Sequence, residues 1–251
     1  MRFGKNCLSV GAALVWLAGG AVRAENIAFG TLIDDSGWLF SSFGNQHTLG
    51  TTRGANFNGA GSVTWYGVNL SNVSGANGIS WSGSLASTSE YSYSGIYTGS
   101  SPGTAAAAND LTNTGIHGNG TTISISAIAG QKYVVDLLFA NAFSGTGAGY
   151  VPYRTMDVSV GGLLYADDLT LYGTQSSDRR PLVYRFEFTP SSTSFDITLT
   201  NGGVVAGSTT DTTPYVNAVM VTVPEPSVIS LLVVGLGGLA LNRLKSMRES
   251  R

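Results

Sequence analysis

From Glu25 to Val223, apolar residues alternate with polar or small ones over short runs, and glycine-rich stretches break the runs about every ten residues. A period of two puts every apolar side chain of a run on the same face of an extended strand. The alternation is plainest in Thr122-Ile123-Ser124-Ile125-Ser126 and in Arg185-Phe186-Glu187-Phe188-Thr189. Each has one apolar and one wettable face, which predicts antiparallel strands solvated on one side. Strands are expected near Asn26–Ile33, Gly50–Phe57, Ser62–Asn69, Glu90–Tyr97, Thr121–Ile128, Lys132–Ala140, Tyr153–Val160, Leu182–Thr189, Ser194–Leu199 and Tyr215–Val223. No strand–helix alternation is present, which argues against a parallel α/β sheet, and no long-period repeat appears. The expected fold is all-β, a single antiparallel β-sandwich of the jelly-roll kind. One short helix is predicted over Ser101–Asn109, with Ser101 as N-cap, Pro102 at the first helical position and an alanine run behind it.

The two ends of the chain read as addresses. Arg2 and Lys5 precede an apolar run from Leu8 to Leu17, and Val22-Arg23-Ala24 supplies a cleavage spacing, so residues 1–24 form a secretory signal peptide. At the other end, fourteen residues from Val228 to Leu241 carry no charge. As a helix they would rise only about 21 Å against a hydrocarbon core of roughly 30 Å. Arg243, Lys245, Arg248 and Arg251 follow, and such a cluster holds a membrane segment's flank on the cytoplasmic side. Pro224-Glu225-Pro226 precedes the run. Two prolines without N–H groups predict an extended, unpaired segment, with the last strand ending at Val223. The order of Pro-Glu-Pro, short apolar helix and basic tail over residues 224–251 resembles the PEP-CTERM sorting signal. That resemblance implies an exosortase partner, transit through the inner membrane of a Gram-negative bacterium by way of residues 228–241, and release to the cell surface or matrix.

Between these ends lie 199 residues, 25–223, enough for one domain that buries about 70% of its unfolded surface. The only cysteine, Cys7, leaves with the signal, which excludes disulfides, thiolate metal sites and a cysteine nucleophile from the domain. Six basic residues face thirteen acidic ones, a net of −7, so a nucleic-acid partner is disfavoured. Gly, Ser, Thr and Asn fill the polar positions, giving a hydroxyl- and amide-rich surface of the sort that meets polysaccharide.

Lys132-Tyr133-Val134-Val135-Asp136-Leu137-Leu138-Phe139-Ala140, then Arg154-Thr155-Met156-Asp157-Val158-Ser159-Val160-Gly161-Gly162, then Tyr215-Val216-Asn217-Ala218-Val219 form the most patterned part of the domain. Together, over about Thr121 to Val223, they resemble malectin-like and related galactose-binding-like jelly rolls. The matching positions are mostly core-facing, so the resemblance implies a fold rather than a ligand.

No catalytic constellation survives inspection. Gly99-Ser100-Ser101-Pro102-Gly103 matches the spacing of a nucleophile elbow, but the residue after the serine is proline, which has no N–H to give an oxyanion. His47 and His117 are the only histidines, and neither has a metal-ligand neighbour at a useful spacing. The acid pairs Asp34-Asp35 and Asp167-Asp168 offer oxygen ligands for a structural Ca²⁺, or an acid and a base for glycoside cleavage. Adjacent strand residues point to opposite faces, so each pair converges only if it lies in a turn, and solvated turn acids are the plain reading. Trp81, Tyr91 and Tyr93 are the aromatics best placed for a sugar-stacking surface, against core packing as the ordinary alternative. The expectation is a non-catalytic, surface-sorted β-sandwich that binds glycan or builds the extracellular matrix, with no cofactor beyond that Ca²⁺. The alternatives are a secreted glycan-active enzyme and a purely structural surface protein.

Overall fold

The computed structural model describes residues 30–34, 42–57, 59–85, 103–139, 155–170, 182–203 and 213–225. The signal peptide, Asp35, Tyr91, Tyr93, the strand expected over Glu90–Tyr97, Ser101, Pro102, Pro226 and the apolar run with its basic tail lie outside them. No helix among the described residues is long and apolar enough to cross a membrane.

Among the described residues, thirteen strands make two facing sheets, and one α-helix packs on the first. In chain order they are β1 (Gly30–Asp34), β2 (Gly50–Asn56), β3 (Val63–Trp65), β4 (Val68–Ser71), β5 (Ile79–Leu85), α1 (Ala105–Asn113), β6 (Ile116–Ser126), β7 (Tyr133–Phe139), β8 (Thr155–Val160), β9 (Leu163–Thr170), β10 (Leu182–Phe188), β11 (Ser194–Asn201), β12 (Tyr215–Val216) and β13 (Ala218–Pro224). The first sheet runs β1-β10-β7-β13-β2-β4-β3. The second runs β12-β6-β11-β8-β9, with β5 also on β6. From β6 to β13 the chain passes repeatedly between the sheets, staying in the second only from β8 to β9 and from β11 to β12, and β10-β7-β13-β2 faces β6-β11-β8-β9. That is the order of a jelly roll. Pairing is antiparallel except for β2 with β4, which is parallel, a departure from the purely antiparallel expectation.

The main core lies between the sheets. Val135, Leu137 and Phe139 of β7, Tyr184 and Phe186 of β10, and Val219 and Val221 of β13 meet Ile123 and Ile125 of β6 and Ile197 and Leu199 of β11. Every residue of β7 is buried, because the first sheet is covered on its outer face as well. There Leu138, Val183, Ala218 and Met220, alternating with the inward set, pack against Phe43, Trp65, Leu70, Ala107, Ala108 and Leu111. The residues before β6 thus fold back over the sheet as a second, smaller core. Fully burying a ring such as Trp65 removes on the order of 200 Å² from water, about 5 kcal/mol.

Within this outer layer Arg185 Nε and Nη2 lie 2.6 and 2.7 Å from the two oxygens of Asp136, and Gly44 N–H donates to Asp136 Oδ2 at 2.7 Å. Arg185 Nη2 also reaches Ser42 O and Asn45 Oδ1. A buried carboxylate is thereby neutralised and ties the segment from Ser42 to the short 3₁₀ turn Asn45–Leu49 onto the sheet.

Four expectations change in detail. The strand expected over Ser62–Asn69 is a hairpin, β3 and β4, turning at Tyr66 and Gly67, both with positive φ (50° and 74°). The helix starts later, at Ala105 with Thr104 as N-cap accepting from Ala107 N–H, and runs on to Asn113 because Ala107, Ala108 and Leu111 form its buried face. The strand expected over Tyr215–Val223 is broken at Asn217, where the chain crosses from the second sheet to the first. The buried Asn217 amide donates to Thr112 O, Thr114 O and Tyr215 Oη, and its backbone bonds Leu138 and Phe57. Finally, β13 does not stop at Val223.

Candidate functional site

Pro224 pairs with Gly50 at the end of β13, and Glu225 N–H donates to Leu49 O at 2.9 Å, so the first two residues of Pro-Glu-Pro are both held against the chain at the start of β2. The expectation of an unpaired motif overlooked the alternation of an antiparallel ladder. With the Glu225 N–H turned to β2, the nitrogen of Pro224 turns the other way, where the pairing of β7 with β13 has already ended at Val134 and Thr222. A proline costs no hydrogen bond there. Gly50 makes the approach possible: a Cβ at that position would collide with Val223 O and with Glu225 N.

The acids Asp167 and Asp168 lie in strand β9, not in a turn. Opposite them β8 contributes Asp157, and the register slips between Met156↔Leu169 and Val158↔Ala166, so that one residue of β8 faces two of β9. This bulge, with Asp168 at φ 51°, overrides strict side-chain alternation. Ligand oxygens of Asp157, Asp167 and Asp168 come within 4.8 Å of one another. Two of the three acids also serve the backbone: Asp168 N–H donates to Asp157 Oδ1 at 2.9 Å, and Gly203 N–H donates to Asp168 Oδ1. Burial pushes the Asp157 carboxyl up, the Asp168 N–H opposes that, and the charges of Asp167 and Asp168 push it up further. The group has oxygen donors a Ca²⁺ would take, but much of its donor capacity already holds the edge of the sheet. Asp157 was not among the sequence candidates; its place beside the acid pair depends on the β8–β9 register. Asp34 closes β1, paired with Leu182, rather than standing in a turn.

Trp81 sits in β5 opposite Ile123, half-buried, with its ring edge-on to Phe57 at 5.1 Å and 67°. Its serine and glycine neighbours lie on the outer side of the strand, so they do not prevent its packing against the main core.

A cleft of about 360 Å³ opens between β3 and the first turns of α1, lined by Gly61, Ser62, Val63, Thr64, Thr104, Ala106, Ala107 and Asp110. Two elements build it. The β3–β4 hairpin is anchored by Trp65, whose indole N–H donates to Phe43 O, and Gly103 approaches the Trp65 ring so closely that a Cβ would clash. The helix is fixed by its apolar face, which leaves Asp110 at the cleft. Asp110 Oδ2 accepts from Asn56 Nδ2 at 2.5 Å and Oδ1 from Ala60 N–H at 3.0 Å. Each oxygen keeps a lone pair, so the carboxylate is a fixed acceptor with capacity to spare. Behind it, the other amide atom of Asn56, Oδ1, is buried without a donor. The wall is rich in acceptors, with the hydroxyls of Ser62, Thr64 and Thr104 at its rim and Val63 and Ala107 as apolar surface. Nothing in the sequence pattern marked these residues, because Ser62 and Asp110 are brought together only by the folding of α1 onto the hairpin.

No protein-family model and no curated protein matches the chain. Among solved structures it is similar to that of a plant peptide, RALF23, in complex with FER and LLG2, at 14% identity and a TM-score of 0.50 over 70% of this chain and 49% of that one. It is likewise similar to the plant receptor-like kinase FER, at 14% identity and a TM-score of 0.50 over 70% of this chain and 51% of that one. The chain spans about half the length of the structures it matches. At this identity the likeness is one of fold: the described domain is a β-sandwich, as in those structures.

Proposed function

We propose that this is an exported, surface-sorted and non-catalytic jelly roll that binds glycan in the extracellular matrix. The observation that carries the reading is the cleft between β3 and α1. A neutral saccharide presents O–H donors around a ring with apolar C–H faces. Asp110, Thr64, Ser62 and Thr104 supply acceptors and hydroxyls for the former, and Val63 and Ala107 supply apolar surface for the latter. Because Asp110 already accepts two N–H groups, its charge is partly satisfied, which favours hydroxyl donors over a bare cation. Two further features support export and binding: the fold is shared with the receptor-like kinase FER, and the domain is acidic and rich in hydroxyl and amide groups.

Sorting rests on the sequence from Pro224 to Arg251. In this reading exosortase recognises Pro224-Glu225-Pro226, the run Val228–Leu241 holds the chain in the membrane in transit, and the mature protein is released to the surface of a Gram-negative cell. Affinity electrophoresis of the exported protein against a panel of soluble polysaccharides is the test. Retardation by at least one neutral polysaccharide, with no shortening of it, is expected. Depolymerisation of any of them would instead make the protein an enzyme.

A further inference from the structure

We propose that the end of the sandwich from which the chain leaves at Glu225 lies against a lipid surface, with Leu49, Ile128 and Leu163 as its contact residues. The inference rests on the reading of Val228–Leu241 as a membrane segment.

The registers bring the three together. Pro224 pairs with Gly50, which puts Leu49 beside the departing chain. Thr222 pairs with Val134 and Tyr133 with Phe188, so the β6–β7 and β10–β11 turns stand at this same end. Ser194 pairs with Ser126, and Gly161 N–H donates to Asp196 O, which brings the β8–β9 turn there as well. Ile128 lies in the first of these turns, and Leu163 follows the last. They are 69% and 62% exposed, and Leu49 is 48% exposed. Among the described residues the only other large apolar side chain so exposed is Val73, on the segment after β4. Exposed apolar residues are therefore concentrated where the chain leaves the fold.

The tether fixes how far this end can stand from the bilayer. Only Pro226 and Ser227 separate Glu225 from Val228. Three extended residue steps reach about 10 Å, and the headgroup layer on one side of a bilayer is on the order of 5–8 Å deep. A folded end held by so short a chain has to touch the interface. Its charges suit an interface of low net charge: Lys132 pairs with Glu187 at 2.5 Å, and Glu225 is exposed where the chain leaves. Lipid is favoured over a second copy of the chain because the tether imposes the apposition, whatever the protein concentration.

The test uses residues 25–251, the chain after signal removal, which contain no cysteine, reconstituted into vesicles of phosphatidylethanolamine and phosphatidylcholine. Single cysteines at Ile128→Cys, Leu163→Cys and Ser84→Cys carry an environment-sensitive fluorophore. Ser84 is an exposed control at the opposite end, paired with His117. Labels at 128 and 163 should be blue-shifted and quenched several-fold more than the label at 84 by quenchers attached to lipid headgroups. Chains that float with the vesicles but show equal quenching at all three positions overturn the inference and leave the membrane segment intact. Blue shift without lipid quenching means a second copy covers the end, and overturns it too. Chains that do not float at all remove the membrane segment, and the inference with it.

Discussion

Asn56, the last residue of β2, holds Asp110 of α1 through a hydrogen bond of 2.5 Å from its amide to the carboxylate. That bond joins the sheet to the helix and fixes the acceptor in the cleft. Removing the carboxylate leaves the Asn56 amide only its longer bond to Gly61 O, at 3.4 Å, and takes the acceptor from Ala60 N–H. Asp110→Ala should therefore destabilise the domain by about 1–3 kcal/mol, read from urea unfolding. A change below a few tenths would mean that the bond does not order the cleft.

Asp136 and Arg185 offer a larger effect. The carboxylate is nearly fully buried, and its partner also holds Ser42 and Asn45. Asp136→Ala leaves the guanidinium without its counter-charge and Gly44 N–H without an acceptor, a loss of about 3–5 kcal/mol. Hydrogen exchange should show the amide of Gly44 deprotected ahead of those in β7. Uniform loss of protection across both would contradict a local role for the pair.

For Asp157 the sign follows from its raised pKa. The folded value stands above the ordinary 3.8, so the favourable contribution of this carboxyl is fully present below the unfolded value and is lost as pH rises through the folded one. Asp157→Asn keeps the oxygen that accepts from Asp168 N–H and removes the charge. It should melt at the same temperature as the parent in strong acid and higher than the parent at neutral pH. A parent that is the more stable at neutral pH would mean that the ionised carboxylate is favoured, by a cation or another partner.

Gly50→Ala tests the seam at the C-terminal end. Its Cβ would meet Val223 O and Glu225 N, so β2 and β13 must part there at a cost of about 1–3 kcal/mol. The amide of Glu225 should then exchange faster, and Pro224-Glu225-Pro226 should become more susceptible to cleavage in the exporting host. Unchanged exchange at Glu225 would show that the seam tolerates a side chain.

Strands such as β6, β10 and β11 were legible because Ile123 and Ile125, Phe186 and Phe188, and Phe195 and Ile197 each alternate with polar residues. The residues that escaped did so for identifiable reasons. Strand β9 carries two adjacent acids, a pattern that suits a turn until a bulge opposite Asp157 lets both reach one place. Strand β5 is mostly serine and glycine, and its pairing with β6 supplies what its own composition lacks. The turn at Tyr66 needs a positive φ that tyrosine seldom adopts, and the ring is held stacked on His47 at 4.5 Å. The cap is Thr104 and not Ser101, and the helix it opens packs Ala107, Ala108 and Leu111 onto the outer core, a contact that no local pattern displays. The cleft joins Ser62 and Thr64 to Thr104 and Asp110, residues too far apart in the chain and too ordinary in type for any local pattern to reveal.

The central claim, that the β3–α1 cleft takes a saccharide, is tested most directly by filling the cleft without removing any hydrogen bond. Ala106 is exposed on its wall, off the buried face formed by Ala107, Ala108 and Leu111. Isothermal titration of the unmodified exported protein and of Ala106→Trp, each with a polysaccharide that retards the parent, is the measurement. The account predicts that Ala106→Trp keeps the parent's melting temperature and loses at least tenfold in affinity, about 1.4 kcal/mol. Equal affinity for the two proteins would contradict it.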